Sequence, residues 1–304
     1  MTVTLNPSLD ITMYAESFVF DEPNRIEREH SDAGGKGVNV SRVLASLGVD
    51  NPAFAICGEE NLALFTRLLR RDNVDFRPIR NLGKIRENMT IKLPDGKTVK
   101  INRRGGEVSN ALMNELGRQV LAECGRTTLA VFGGSLPAGM DVEIFKEFLR
   151  WIKGSGAKIA VDSSQLSLKD YIQLEPFIIK PNELELSAAV GSRLTEPSEI
   201  AKATEPLLGR VEHILVSMGD RGLLRVTQSG YILAEPPRVS AVSTVGAGDT
   251  ALAGYIAALH RGCSDEECVR YAAACGTASV LLDGTGIITD EMVDDILPRV
   301  RLIC

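Results

Sequence analysis

The chain has 304 residues, of which 44% are hydrophobic and 24% charged, so it is long enough to bury a large core. Its net charge of −6 argues against a broad nucleic-acid-binding surface. No run of about twenty uncharged apolar residues is present to span a bilayer. The six cysteines include no C-x-x-C pair, and the amino terminus lacks a signal-peptide pattern, which predicts a cytoplasmic protein with reduced thiols. The three histidines are far apart in sequence, so we expect no histidine-based triad or metal site.

A glycine loop that precedes a helix dominates the amino-terminal part. A short strand at 3–5 leads into a polar turn that holds Asp10, which is either a turn residue or a ligand contact. Residues 34–39, Gly-Gly-Lys-Gly-Val-Asn, then precede apolar residues at helical spacing. Glycines let the backbone approach a ligand, and Lys36 can place a charge on a phosphate, although a solvated surface lysine is the plainer interpretation. The spacings of a Walker A loop and of a Rossmann fingerprint are absent.

Two extended stretches, at about 12–33 and 86–106, show alternating polar character without a helical stripe. The second has a Pro-Asp-Gly hairpin turn, begins with Arg86 and ends with Arg103 and Arg104. We expect the two stretches to pair as a small β lid that closes over an anionic sugar. Solvated surface arginines are the alternative interpretation.

From about residue 111 onward, predicted helices and strands alternate, and each strand is followed by a polar loop. The predicted strands lie at 128–132, 158–161, 177–179 and 213–216. This alternation predicts a three-layer α/β core with a mostly parallel sheet, whose ligands bind beyond the carboxyl ends of the strands. We expect residues 1–304 to form one domain, because the sequence shows no linker.

The motif Asn182-x-x-Glu185 follows one of these strands. Asn at a helix N-cap with Glu three residues later is a capping box, in which each side chain binds the other's backbone amide. The same two oxygen-bearing side chains are also suitable to hold Mg²⁺ with its waters. The sequence leaves both interpretations open.

Residues 243–250, Ser-Thr-Val-Gly-Ala-Gly-Asp-Thr, form a second glycine loop before an apolar helix. Gly246, Ala247 and Gly248 are predicted to present backbone N–H groups at the positive end of that helix, where anionic oxygens bind. Asp249 in its first turn is either a favourable N-terminal charge or a reactive carboxylate.

These motifs, taken in this order, resemble the PfkB (ribokinase-like) family of sugar kinases over essentially the whole chain. The segments T-L-N-P-S-L-D, A-G-G-K-G-V-N, G-S-L-P, K-P-N-x-x-E-L and S-T-V-G-A-G-D resemble its branch that acts on sugar phosphates. The resemblance implies a ribokinase-like fold with a β lid, ATP and Mg²⁺ as cofactors, and a homodimer formed through the lid. Two features depart from the pattern: Ser243 stands where many relatives have Asp, and Arg103-Arg104 is unusually basic.

The resemblance also implies a role for each motif. Asp249 is implied as the general base, with the N–H groups of Gly246, Ala247 and Gly248 as an anion hole. The implied sugar and sugar-phosphate contacts are Asp10, Gly35, Lys36, Asn39, Arg86 and Ser135. The implied nucleotide contacts are Lys180, Asn182, Ser217, Gly219, Asp220 and Gly222. The implied magnesium motif consists of Asn182 and Glu185.

The activity expected from this resemblance is ATP-dependent phosphorylation of the C6 hydroxyl of fructose 1-phosphate. Lys36 and Arg86 supply positive charge for a phosphate already present, and Asp249 supplies a base for the free hydroxyl. Tagatose-6-phosphate kinase and 6-phosphofructokinase activities remain alternatives, because the sequence does not fix which end of the sugar carries the phosphate. Outside enzymes, the alternative is a catalytically silent sugar-phosphate sensor.

Overall fold

The computed structural model describes residues 1–304, and its largest element is a ten-stranded sheet. Seven strands are mutually parallel, and three antiparallel strands extend one edge. From that edge the order is β14 (Arg301–Ile303), β13 (Gly230–Glu235), β12 (Leu223–Thr227), β11 (His213–Ser217), β10 (Ile178–Ile179), β9 (Lys158–Asp162), β8 (Leu129–Gly133), β1 (Thr2–Thr4), β4 (Pro52–Gly58) and β5 (Asp75–Asn81). The predicted mostly parallel sheet is confirmed.

Helices cover both faces of this sheet. They are α1 (Lys36–Ser46), α2 (Leu62–Arg71), α3 (Asn110–Ala122), α4 (Val142–Gly154), α5 (Leu168–Leu174), α6 (Glu183–Val190), α7 (Pro197–Thr204), α8 (Ala247–His260), α9 (Asp265–Ser279) and α10 (Asp290–Ile296). Adjacent strand residues face opposite sides, and Val131 and Phe132 accordingly belong to two different apolar clusters. The core is therefore three-layered, as predicted. No helix is both long and apolar enough to cross a membrane.

A separate four-stranded sheet lies beside the core. Its order is β3 (Arg28–Gly34), β2 (Ser8–Tyr14), β6 (Arg86–Lys92) and β7 (Thr98–Asn102). Strand β2 begins at Ser8 rather than near residue 12, and residues 15–27 contain no strand. Asp10 pairs with Asp32 and Asn88 inside this sheet. The interpretation of Asp10 as a turn residue is therefore wrong.

The arrangement of the parallel strands determines where polar groups collect. Strands β1, β8, β9, β10 and β11 all run in one direction, so the residues that follow them meet at one edge of the sheet. Strand β3 of the small sheet ends at Gly34 and leads directly into α1, which brings the small sheet to the same edge. The candidate site is built there.

Candidate active site

Asp249 lies in the first turn of α8, and only 7% of its surface is exposed. Asn39 of α1 donates from Nδ2 to Asp249 Oδ2 at 2.8 Å, which fixes one carboxylate oxygen. Asn39 Oδ1 is buried without a hydrogen-bond partner, so it is available to accept a hydrogen bond from a ligand. The two glycine loops, remote in sequence, therefore meet through this pair.

The amino terminus of α8 presents backbone N–H groups beside Asp249. The helical bonds begin with Thr250 N–H, which donates to Gly246 O at 2.8 Å, so the preceding N–H groups have no helical acceptor. Ala247 N–H makes only a 3.4 Å contact with Thr244 O. Gly246 has φ +78°, a backbone conformation that favours glycine, and it turns the chain into the helix. This geometry is suited to an anion, as the sequence predicts.

Behind Asp249, two lysines share a buried carboxylate. Lys36 Nζ donates to Asp162 Oδ1 at 2.7 Å, and Lys180 Nζ lies 3.1 Å from Asp162 Oδ2. Asp162 is 2% exposed and Lys180 4%. Burial alone would raise the pKa of Asp162, but Lys180 and Lys36 outweigh it and hold this pKa below its ordinary value.

The same environment has the opposite effect on Asp249. Burial, together with the negative charge of Asp162, raises the pKa of Asp249 to about 6, against the opposing influence of Lys36 and Asn39. A carboxylate with a pKa near 6 is a stronger proton acceptor than an exposed aspartate and is still ionised at neutral pH. The two buried aspartates therefore have different chemistry because only Asp162 is directly paired with the ammonium groups.

Asp162 was not among the predicted site residues. The available signal was its position in a polar loop at the end of a predicted strand, the same position that singled out Lys180. Its two partners are 126 and 18 residues away in sequence, so only the fold brings the three charges together.

Lys36 and Arg86 have different neighbours, although the sequence suggests that they share one phosphate. Lys36 belongs to the Asp162 group, whereas Arg86 donates only to neutral acceptors, Asn6 O, Asn88 Oδ1 and Arg103 O, each at 3.3 Å. Burial lowers the pKa of Arg86, and Asp10 opposes this shift. The Arg86 guanidinium thus loses hydration without gaining a carboxylate in direct contact, which suits it to bind an anion.

Asp10 stands next to Arg86 in the small sheet. Its Oδ1 accepts hydrogen bonds from Ser8 Oγ at 2.8 Å and Asn88 Nδ2 at 2.9 Å, and burial raises its pKa. A Cβ on Gly34 would lie 2.1 Å from Asp10 Oδ2, so the glycine makes room for this carboxylate. The next residue, Gly35, has φ +106° and is the N-cap of α1.

Asn6 connects these groups to Ser135. Its Nδ2 donates to Ser135 Oγ at 3.1 Å, Leu136 O at 3.2 Å and Arg104 O at 3.1 Å. Asn6 therefore joins the end of the hairpin to the loop after β8.

The two arginines at the end of the hairpin differ in their contacts. Arg103 forms an ion pair with Glu87, whereas the Arg104 side chain has no ion-pair partner.

A cavity of about 890 Å³ opens at the amino terminus of α8. It is lined by five of the predicted nucleotide contacts and by two glycine-loop residues: Asn182, Ser217, Gly219, Asp220, Gly222, Ala247 and Gly248. Lys180 Nζ would lie 3.1 Å from a Cβ on Gly248, at the boundary between the cavity and the Asp162 group. The volume is in the range of small-molecule sites.

Asn182 and Glu185 form a complete capping box at the start of α6. Asn182 Oδ1 accepts from Glu185 N–H at 2.8 Å, and Glu185 Oε2 accepts from Asn182 N–H at 2.9 Å. The capping interpretation therefore holds, but it uses only one carboxylate oxygen of Glu185. No group of three His, Cys, Asp or Glu side chains is arranged to hold a metal ion. The donors present fit an ion bound mainly by water and phosphate oxygens, which is how Mg²⁺ is usually held.

A buried carboxylate at a helix amino terminus, beside a nucleotide-sized cavity and a desolvated arginine, is the arrangement of a phosphotransferase. The family model of the pfkB family carbohydrate kinases matches residues 3–292. The chain belongs to this family, and it is a kinase of the sugar-phosphate class.

Individual relatives match over nearly their full length. A 1-phosphofructokinase from Haemophilus influenzae is 31% identical, with 99% of this chain and 97% of the relative covered. A tagatose-6-phosphate kinase from Staphylococcus epidermidis is 29% identical, with 100% and 99% covered. Among solved structures, phosphofructokinase-2 from Escherichia coli in complex with substrates and products has a TM-score of 0.91 at 29% identity, with 98% and 97% covered.

Proposed function

We propose that the chain transfers the γ-phosphoryl group of ATP to the C6 hydroxyl of fructose 1-phosphate, with Asp249 as the general base. The observation that carries this proposal is the placement of Asp249. It is buried, bonded to Asn39 and next to free N–H groups of α8, and its pKa is raised to about 6. This reaction requires a base that accepts the hydroxyl proton and an adjacent binding site for the phosphoryl oxygens.

Each group of the site has a separate task in this proposal. Asp249 accepts the proton of the attacking hydroxyl, and Asn39 holds the carboxylate in place. The N–H groups of Gly246, Ala247 and Gly248 stabilise charge on the transferred group, which in comparable sites contributes on the order of 10²–10³-fold per donor. Lys36 and Lys180, held by Asp162, add positive charge on the cavity side. Lys36 is thus assigned to the transferred phosphoryl group rather than to the sugar phosphate.

The nucleotide is assigned to the 890 Å³ cavity, which leads to the amino terminus of α8. Mg²⁺, when bound, neutralises charge on the nucleotide phosphates. Glu185 is the carboxylate assigned to it, through water, because one of its oxygens is free of the capping box. Asn182 is assigned to orienting Glu185 through that box.

Arg86 is assigned to the phosphate already present on the acceptor sugar, with Asp10, Gly35 and Ser135 around the sugar. The support is its desolvated guanidinium, which has no carboxylate in direct contact. Fructose 1-phosphate is preferred because 1-phosphofructokinases are among the most similar relatives. Tagatose 6-phosphate is the second candidate, supported by relatives of nearly equal identity.

The substrate assignment is tested by ADP release with Mg-ATP and fructose 1-phosphate, tagatose 6-phosphate or fructose 6-phosphate. We expect the highest kcat/KM with fructose 1-phosphate. A preference for tagatose 6-phosphate would overturn the assigned sugar but leave the assigned chemistry. Binding of sugar phosphates without any turnover would instead favour a sensor.

Replacement of Arg86 by Met is expected to raise KM for the sugar phosphate by about 10- to 100-fold, because a charged hydrogen bond contributes about 1.5–3 kcal/mol. Turnover of unphosphorylated fructose, however slow, is expected to stay unchanged. The matched control is Arg103→Met, because Arg103 forms an ion pair with Glu87 on the exposed surface. An equal rise of KM in both variants would contradict the assignment of Arg86.

Replacement of Glu185 by Gln is expected to raise the Mg²⁺ concentration needed for half-maximal activity by about 10- to 100-fold. Glutamine also completes a capping box, so the helix cap is kept while the charge is removed. The control is Glu199→Gln, because Glu199 has the same capping position in α7. Unchanged Mg²⁺ dependence in Glu185→Gln would remove Glu185 from the proposed metal site.

The proposal includes a homodimer formed through the small sheet. Four apolar side chains of this sheet and of the segment between β2 and β3 are exposed: Val19, Phe20, Ile26 and Ile101. Phe20 is 81% exposed, and Val19, Phe20 and Ile26 lie within one short segment, where exposed apolar side chains favour a protein interface. A second copy of the chain is the assigned partner, and sedimentation measures the resulting mass.

A further inference from the structure

A buried arginine lies between the anion hole and the base of the small sheet. Arg42 is on α1, three residues after Asn39, and only 2% of its surface is exposed. Residues three apart on a helix share a face, so the helix that holds Asn39 against Asp249 carries this arginine on the same side. A buried guanidinium needs partners for its donors. Those of Arg42 come from three other parts of the chain.

The partners of Arg42 connect α2, β3 and the loop at 282–286. Arg42 Nε donates to Asp72 Oδ2 at 2.6 Å, directly after α2. Its Nη1 donates to Ala33 O of β3 and to both Thr285 O and Thr285 Oγ1, each at 3.1 Å. Its Nη2 lies 3.5 Å from Asp32 Oδ1. We refer to these five residues as the Arg42 cluster.

Thr285 is the point at which the Arg42 cluster reaches the active site. A Cβ built on Gly246 would lie 3.5 Å from Thr285 Cγ2, so the threonine methyl packs against the residue that begins the anion hole. The directions of the N–H groups at the start of α8 depend on the conformation of Gly246. The loop at 282–286 belongs to no helix or strand, so no helical or sheet hydrogen bonds hold it. Its hydrogen bonds to Arg42 hold it in position instead.

The same loop is also tied to the small sheet. Lys92 at the end of β6 forms an ion pair with Asp283. A Cβ on Gly284 would lie 3.3 Å from Asp32 Oδ2 of β3. The loop therefore lies between the small sheet and the anion hole and contacts both.

We propose that Arg42 is a positioning residue that, through Thr285, holds the loop at 282–286 against Gly246. The placement of the small sheet is thereby coupled to the geometry of the anion hole. This inference rests on the proposed function for its kinetic consequence only. Its structural consequence, the ordering of the loop, is measured without any substrate.

The test compares two buried arginines. Arg225 is 5% exposed and binds Tyr255 Oη, Glu212 O and Asp265, near the amino end of β11 and away from the site. Arg42→Lys and Arg225→Lys are both expected to lower the melting temperature. Only Arg42→Lys is expected to speed amide hydrogen exchange at 243–248 and 282–286, by about tenfold or more.

The kinetic readout is taken at a temperature where both variants are folded. Arg42→Lys is expected to lower kcat by about tenfold or more without changing KM for ATP, because small displacements of catalytic groups have large effects on rate. Arg225→Lys is expected to keep the wild-type kcat. Unchanged exchange at 282–286 in Arg42→Lys, or equal changes in both variants, would overturn the inference. Absence of turnover in the wild type would contradict the proposed function instead.

Two smaller substitutions test the same contact if Arg42→Lys does not fold. Thr285→Val removes the hydroxyl bonded to Arg42 and keeps the methyl group packed against Gly246. Thr285→Ser keeps the hydroxyl. We expect Thr285→Val to lower kcat by about 3- to 10-fold and to speed exchange at 243–248, with Thr285→Ser closer to the wild type. The reverse order would overturn the role of the hydroxyl bond.

Discussion

Asp249→Asn is expected to lower kcat by about 10²–10⁴-fold, the usual contribution of a general base, while making the folded protein more stable at pH 8. Asparagine keeps an oxygen that accepts the hydrogen bond from Asn39 but has no site for the hydroxyl proton. It also removes a buried charge. The raised pKa of Asp249, about 6, means that its ionised form is disfavoured by folding. The measurements are steady-state ADP release and unfolding by urea.

The pH dependence of this stability difference has a defined sign. The pKa of Asp249 is raised from an ordinary value of 3.8 to about 6. The folded state is therefore favoured by binding a proton at Asp249. This stabilisation is fully present below pH 3.8 and is lost as pH rises through about 6. Above that pH, the loss amounts to up to about 3 kcal/mol of the free energy of unfolding. The advantage of Asp249→Asn over the wild type should thus grow from pH 4 to pH 6 and then level off. A constant difference across this range would contradict the assigned pKa.

Asp162→Asn is expected to have the opposite effect on stability, lowering the free energy of unfolding by about 3–5 kcal/mol at pH 8. Asp162 is the only carboxylate in direct contact with Lys36 and Lys180, and Lys180 is 4% exposed. Removing its charge leaves two ammonium groups without an ionic partner, one of them deeply buried. Activity should also fall, because both lysines lose the group that orients them. Urea unfolding gives the free energy and ADP release gives the rate.

The two aspartate variants are controls for each other. Both replace a buried aspartate by the nearly isosteric asparagine in the same site, so a change of side-chain volume does not separate them. Their charge pairing differs: Asp162 contacts lysines, whereas Asp249 contacts the neutral amide of Asn39. Stability changes of the same sign in both variants would contradict this arrangement of charges.

The parallel core is predictable from sequence because its strands are apolar and its helices are periodic. Strand β5 is missed because its sequence, Asp-Phe-Arg-Pro-Ile-Arg-Asn, holds three charges and a proline. Such a strand is tolerated because β5 lies at the edge of the sheet. The short helices α5 and α10 are also missed. Each has seven residues, which are too few to show a clear helical period in the sequence.

The site is predictable where its residues are adjacent in sequence and not where the fold joins distant groups. The glycine loop at 246–248 and the capping box at Asn182 are local features, and the structure has both. The Asp162 group and the Arg42 cluster are assembled from segments that are up to 243 residues apart. No local pattern marks a residue such as Arg42, since an arginine on a helix is ordinarily solvated.

The most direct test of the central assignment is ³¹P NMR of the products formed from Mg-ATP and fructose 1-phosphate. The assignment predicts a new phosphate resonance at C6, with fructose 1,6-bisphosphate and ADP formed in equal amounts by the wild type. Folded Asp249→Asn should form neither at a comparable rate. Formation of the bisphosphate by Asp249→Asn at the wild-type rate would contradict the role of Asp249 as the base.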